Sequence, residues 1–253
     1  MTEVTIEQLF EAGAHFGHTT SRWHPKMAPY IHSKRGGSHI INLEMTVQEL
    51  NKALSFVEGV AATGKQVLFV GTKAQAKPVI KEVAEDAKQP YVNVRWLGGM
   101  LTNSKTIGDR VKHLVKLEER MDNGELANRY NKLEVQRYQE EIDTLNNVLG
   151  GIKNMNGLPG AVFISDVIVD KLAVSEAKKL GIPTIGIIDS NANPTTVDYP
   201  IPANDDAIKT IKLIAGLIGD AVKVGSTKLA KTPPAKEAVK KEAPKEVVKK
   251  EEK

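Results

Sequence analysis

The sequence predicts an α/β fold: a parallel sheet flanked by helices, with an inserted antiparallel helical hairpin. Three observations carry this reading. Gln66–Val70, Ala161–Ile164 and Thr184–Ile188 are largely continuous apolar runs, the mark of strands buried on both faces. Segments with a helical apolar stripe separate such runs, the alternation of a parallel sheet with helices on both faces. One long stretch, Ser104 to Gly150, keeps helical periodicity throughout and holds no strand.

Taken in order, Ile40, Ile41 and Leu43 read as a short strand. Met45 to Thr63 reads as a helix, with Thr46 the expected N-cap and Leu50, Leu54, Val57 and Ala61 on one face. The buried strand Gln66–Val70 follows, then a strand-to-helix turn at Gly71-Thr72-Lys73 with Thr72 as cap. Ala74 to Lys88 reads as a helix and Tyr91 to Val94 as a short strand. After the helical stretch come the strand Ala161–Ile164 and a helix from Asp170 to Leu180, closed by Gly181 and Pro183. The strand Thr184–Ile188 and a helix from Asp205 to Val222 complete the order.

Within the helical stretch, Ile107, Val111, Leu114, Leu117 and Met121 step by four, three, three and four. Asp122-Asn123-Gly124 is a turn with glycine at the left-handed position. Leu126, Tyr130, Leu133, Ile142, Leu145 and Leu149 form a second stripe. Two such stripes joined by a tight turn describe a hairpin. Arms of ~20 residues reach roughly 30 Å, so the hairpin is expected to protrude. The organisation read from these patterns is a discontinuous core of residues 1–103 and 151–225, a hairpin insertion at 104–150, and a tail at 226–253. The tail is Lys/Glu/Ala/Pro-rich without an aromatic residue, and disorder is expected there.

The 253 residues contain no cysteine, which excludes disulfides and thiolate metal sites. Two glutamates and no basic residue in the first ten positions do not suit a signal peptide, and no apolar run approaches membrane-spanning length. The net charge is +4, but residues 226–253 hold nine Lys and five Glu, leaving 26 basic and 26 acidic residues upstream. An anion-binding surface must therefore come from local segregation of charge.

The segment from His15 to Ile40 shows such segregation. It holds five of the six histidines, with Arg22, Lys26, Lys34 and Arg35, and no carboxylate. His15 and His18 have HxxH spacing, yet they lie among Gly, Thr and Ser in a loop-rich stretch, without the carboxylate that often supports histidine-bound zinc. Arg22-Trp23-His24-Pro25-Lys26 alternates cations with planar rings, a combination suited to phosphate contact and base stacking. Arg95-Trp96 repeats the pair, and of the two tryptophans Trp96 is the one expected in the core. RNA binding is thus favoured over a metal site, with plain loop packing left open.

Other motifs carry less. Gly59 to Gln66 matches GxxxxGK but closes a helix instead of opening one, and Gln66 replaces the magnesium-binding hydroxyl. Asp189 ends a predicted strand and Asp205 and Asp206 open the last helix; with Asp166 or Asp198 they can hold a hard cation, although capping explains them better. No nucleophile or base accompanies them. The rival to a binding protein is therefore a nucleotide- or metal-dependent enzyme on a doubly wound sheet, using Asp189, Asp205 and Asp206 near the Gly71-Thr72-Lys73 turn, which would need a deep pocket at the strand ends. A protein-binding scaffold is a third reading.

Six segments, in this order, carry a resemblance: AGAHFGHTTSRWHPKMAPYI, HIINL, VLFVGTK, RWLGGMLTN, IPTIGIIDSNANP and YPIPANDDAI. Together they resemble the bacterial small ribosomal subunit protein two family, whose relatives include the laminin-receptor-like protein SA, over about residues 5 to 222. The resemblance implies a flavodoxin-like domain with a protruding hairpin, on the solvent side of the subunit between head and body. It implies contact with 16S rRNA and neighbouring ribosomal proteins, and in many bacteria anchoring of the messenger-binding small-subunit protein one. It implies a cytoplasmic location in the ribosome, no enzyme activity, no cofactor, no small-molecule substrate and no membrane. Arg22, Trp23, His24, Lys26, Lys34, Arg35 and Arg95 are the expected rRNA contacts. Lys105, Arg110, Lys112, Lys116, Arg129, Lys132 and Arg137 are candidates on the hairpin. The family more often has aspartate at Asn42, asparagine at His24, an aromatic at Ser104, and aspartate-proline within Ser165–Asp170.

Overall fold

The computed structural model describes residues 4–231. The main sheet holds β4 (Val67–Val70), β5 (Tyr91–Val92), β6 (Ala161–Ile164), β7 (Thr184–Ile188) and β8 (Tyr199–Pro202). Its order is β5-β4-β6-β7-β8, and every pairing is parallel. All residues of β4, β6 and β7 are buried, because helices cover both faces. Along β4, Val67 and Phe69 face one layer while Leu68 and Val70 face the other. The first layer comprises α2 (Leu43–Ala62), α3 (Lys77–Asp86) and α8 (Ile208–Lys231). The second comprises α7 (Lys171–Lys179) with the roots of α4 (Ser104–Asp122) and α6 (Lys132–Leu149). Among the described residues no helix is long and apolar enough to cross a membrane.

Several local expectations are corrected. Strand β8 reads YPIP and was not among the expected strands; at a sheet edge its prolines cost no ladder hydrogen bond on the open side. Helix α2 starts two residues early, with Asn42 as N-cap accepting from the Glu44 amide at 3.0 Å. Thr46 is buried instead and donates to the Pro202 carbonyl. Helix α3 starts only at Lys77, and the Thr72 hydroxyl donates to Asp170 at 2.8 Å, so it caps nothing. Helix α8 begins at Ile208, beyond the aspartates, and continues to Lys231. The expected tail boundary at 225 therefore falls inside a helix, and residues 232–253 lie outside the described residues.

A second sheet was not foreseen. After α1 (Ile6–Glu11) come β1 (Phe16–Thr19), β2 (Ile31–Arg35) and β3 (Ser38–Ile41), antiparallel in the order β1-β3-β2. Gly36 and Gly37, at φ 58° and 79°, close the turn between the paired Arg35 and Ser38. Both positions sit where only glycine is comfortable, as a two-residue hairpin turn requires. The histidine-rich segment is thus a small folded sheet and two 3₁₀ turns rather than open loop.

In the inserted stretch, α4 ends at Gly124 (φ 69°), a short α5 (Glu125–Arg129) follows, and Asn131 caps α6. The second arm is therefore broken near Tyr130. Leu114, Leu117, Ile142 and Leu149 are buried between α4 and α6 or at their roots.

Candidate nucleic-acid interface

The small sheet is mounted on the carboxyl ends of the large one. The His24 amide donates to the Ser190 carbonyl at 2.8 Å, and the His18 amide to Ser190 Oγ at 2.8 Å. Asn204 donates through its backbone to Ala14, and Thr210 through its hydroxyl to Ala12. The loops after β7 and β8, with the first turn of α8, thus anchor the segment from Ala12 to His24.

Between the sheets lies an ionic network that joins the aspartates and the Lys73 turn, which the enzyme reading had grouped, to His18, which it had not. Lys73 Nζ sits 2.7 Å from Asp205, 2.7 Å from Asp206 and 3.1 Å from Asp166. His18 Nδ1 lies 3.0 Å from Asp189 Oδ2, and its Nε2 lies 3.6 Å from Asp206. Contact with Asp189 outweighs burial and raises the His18 pKa. Burial opposes the Lys73 charge, yet its hydrogen bonds to Asp205 and Asp206 win and raise it above the ordinary range. Burial, then the Asp166 charge, pushes Asp205 up to about 7 against the pull of Lys73. Four carboxylates share two cations, so one retained proton is the expected outcome. Ligand atoms of His18, Asp189 and Asp205 lie within 4.8 Å of one another and can hold a cation. Asp206 instead serves Lys73, and Asp198 caps Thr184 at 2.8 Å, away from the cluster. Asp170, raised by burial, holds Thr72. The available signals for Lys73 and His18 were a lysine just after a buried strand and a histidine near a strand-end aspartate. The HxxH pair does not converge: His15 stacks on Phe10 at 4.4 Å between ring centroids and lies tilted against Phe16 at 4.0 Å.

The basic side chains of the small sheet lie outside this network. Among the described residues, Arg22, Lys26, Lys34 and Arg35 are exposed and none pairs with a carboxylate. Lys26 does hydrogen-bond Thr195 at 3.1 Å. Trp23 is half-buried, with Lys34 Nζ 5.7 Å from its ring centroid and the His39 ring 5.2 Å away. His39 is fully buried with both ring nitrogens unpartnered, and burial lowers its pKa. His24 has a structural task, its Nδ1 accepting from the Lys26 amide to cap the 3₁₀ turn Pro25–Tyr30.

Arg95 is not part of this cluster. It follows β5, at the opposite edge of the main sheet from β8, and is exposed beside the hairpin root. Trp96 beneath it is 6% exposed and donates to Glu176 at 3.1 Å, as expected of a core tryptophan. On the hairpin Lys105, Arg110, Lys112, Lys116, Arg129, Lys132 and Arg137 are all exposed. Lys112 lies 3.9 Å from Asp109 and Arg129 3.2 Å from Glu125; the other five have no acidic partner among the described residues.

Comparison with known proteins gives this arrangement a context. The family described as Ribosomal protein S2 matches residues 9–225. The chain belongs to the ribosomal protein S2 family. The small ribosomal subunit protein uS2 of Chloroflexus aurantiacus is 52% identical over 223 residues, 88% of this chain and 93% of that one. Proteins of the same name from Dehalococcoides mccartyi and Psychrobacter cryohalolentis are 48% and 50% identical, each over 88% of this chain and over 90% and 84% of their own. In S2 family terms, the five-stranded parallel sheet flanked by helices is the flavodoxin-like core that the resemblance implied.

Proposed function

We propose that this protein is a non-enzymatic constituent of the small ribosomal subunit that holds 16S rRNA through two cationic surfaces. One is the small sheet, with Arg22, Lys26, Lys34 and Arg35 around Trp23. The other is Arg95 with the hairpin cations, the hairpin protruding from the core. Neighbouring small-subunit proteins complete its surroundings, protein one among them where the organism has it, and its place is the cytoplasmic ribosome.

The observation that carries this reading is the division of charge. The carboxylates nearest the small sheet are engaged by Lys73 and His18, not by the cations of that sheet. The arginines and lysines of the small sheet are left without acidic partners among the described residues. A body whose two charges balance thus gathers cations without acidic partners on one small sheet, the footprint of polyanion binding. A cavity of about 520 Å³ does lie at these strand ends, lined by His18, Arg22, Asp189, Asn204 and Asp206 among others, but Lys73 already engages Asp205 and Asp206 there, which weighs against the enzyme rival.

The test is a salt titration. Arg22→Ala/Lys26→Ala is bound to a 16S rRNA fragment at several ionic strengths, beside the parent. For every phosphate that the variant no longer neutralises, the slope of log affinity against log salt is expected to shrink by roughly 0.7 to 0.9. An unchanged slope removes these two residues from the interface.

A further inference from the structure

We infer that Glu176 is a positioning residue for rRNA docking: its buried carboxylate fixes the loop that presents Arg95 and launches the hairpin. This role rests on the reading that Arg95 and the hairpin touch RNA. Glu176 lies within α7, is 7% exposed and has no basic partner within 4.0 Å among the described residues. A buried carboxylate without a cation needs a full set of donors. Glu176 has one. Oε1 accepts from Trp96 Nε1 at 3.1 Å and the Gly99 amide at 2.7 Å. Oε2 accepts from the Leu101 amide at 3.0 Å, and from the amide and hydroxyl of Thr102 at 3.2 and 3.1 Å. Burial works against the charge, but the Gly99, Trp96, Thr102 and Leu101 donors outweigh it and lower the pKa, so the group is ionised at neutral pH.

All the donors come from one connecting loop. It forms an anion nest that the protein fills with its own side chain. Without that carboxylate, the amides of Gly99, Leu101 and Thr102 lose their common acceptor and the loop loses the point that ties it to α7. The two ends of the loop are what make the tie matter for binding. One end is the exposed Arg95; the other is Ser104, the first residue of the 19-residue α4. At 1.5 Å per residue such a helix is about 28 Å long, so a tilt of about 10° at its root moves its far end by about 5 Å. A small relaxation in the nest is thereby magnified at the hairpin cations.

The experiment uses the full chain and small subunits depleted of it, with three variants: Glu176→Ala, Glu176→Gln and Arg95→Ala. For Glu176→Ala, exchange of the Gly99, Leu101 and Thr102 amides is expected to quicken and the Trp96 indole N–H resonance to shift. Affinity for depleted subunits is expected to fall roughly tenfold, the scale of one charge-assisted hydrogen bond. Sodium formate at tens of millimolar is expected to enter the vacated nest and restore both readouts, which a general loss of stability would not allow. Glu176→Gln keeps the shape and one acceptor oxygen; a smaller loss without formate rescue is expected, and this variant decides if the alanine protein does not fold. Normal subunit affinity of the Glu176 variants beside impaired Arg95→Ala overturns the positioning role and leaves the RNA reading standing. Normal affinity of Arg95→Ala as well removes Arg95 from the interface, and with it the ground on which the role rests.

Discussion

His18 ties the small sheet to Asp189 at 3.0 Å, and its pKa is raised by that contact. A raised folded-state pKa contributes stability that is whole below the unfolded value, near 6.5, and is lost as pH rises through the folded value. Asp205 acts in the same direction. Its pKa of about 7 against an ordinary 3.8 means that its contribution is whole below 3.8 and lost as pH climbs to about 7. The protein is therefore expected to melt a few degrees lower at about pH 8 than at about pH 6. His18→Gln should flatten the upper part of that profile and Asp205→Asn the lower part. Superimposable profiles for all three proteins would dismiss the ionic network as a source of pH dependence. At this scale the sequence was partly legible. Two of the residues expected to depart from the family pattern, Asn42 and His24, both cap a helical turn through a side-chain acceptor, as an aspartate or asparagine there can. Thr46 and Thr72 could not be read so, because a threonine hydroxyl serves a cap or a distant carbonyl equally well.

Among the elements, the central strands were legible because burial on both faces forces a continuous apolar run. The small sheet was legible only in β3, where Ile40 and Ile41 were read as strand although Leu43 opens α2; β2 has four of five residues exposed, and nothing in Ile31–Arg35 reports a partner. Strand β8 hid behind its prolines, which only an edge position tolerates. The return from hairpin to sheet gives a test at this scale. A Cβ on Gly151 would strike the Tyr91 carbonyl and lie 2.7 Å from Tyr91 Cδ2, with backbone unable to give way. On Gly150 it would meet only Asn146 Oδ1, at 3.6 Å. Gly151→Ala is expected to cost roughly 1–3 kcal/mol, and Gly150→Ala to stay within about 0.5 kcal/mol. Urea unfolding midpoints measure both; equal midpoints would mean that the turn does not clamp β5.

For the whole molecule, the packing separates what holds the core from what the hairpin adds. Among the described residues the α2–α3–α8 layer involves none of 104–150, whereas the opposite layer includes the hairpin roots Ile107 and Leu149. Replacing residues 104–150 by a short linker is expected to leave a cooperative, less stable sheet domain that associates poorly with depleted subunits. Co-sedimentation at the parent level would take the hairpin out of the binding account.

The same insertion interrupts the middle of the sheet, since Val67 pairs with Ala161 across it. On a translating ribosome β4 emerges with its inner edge bare and waits for β6. At about 5–20 residues per second that wait is roughly five to twenty seconds. Until β6 arrives, Val67-Leu-Phe-Val70 is a nascent apolar strand open to any other chain nearby. The cell therefore meets its need for chaperoning in mid-synthesis, and a pause placed before Ala161 should deepen aggregation more than one placed after it.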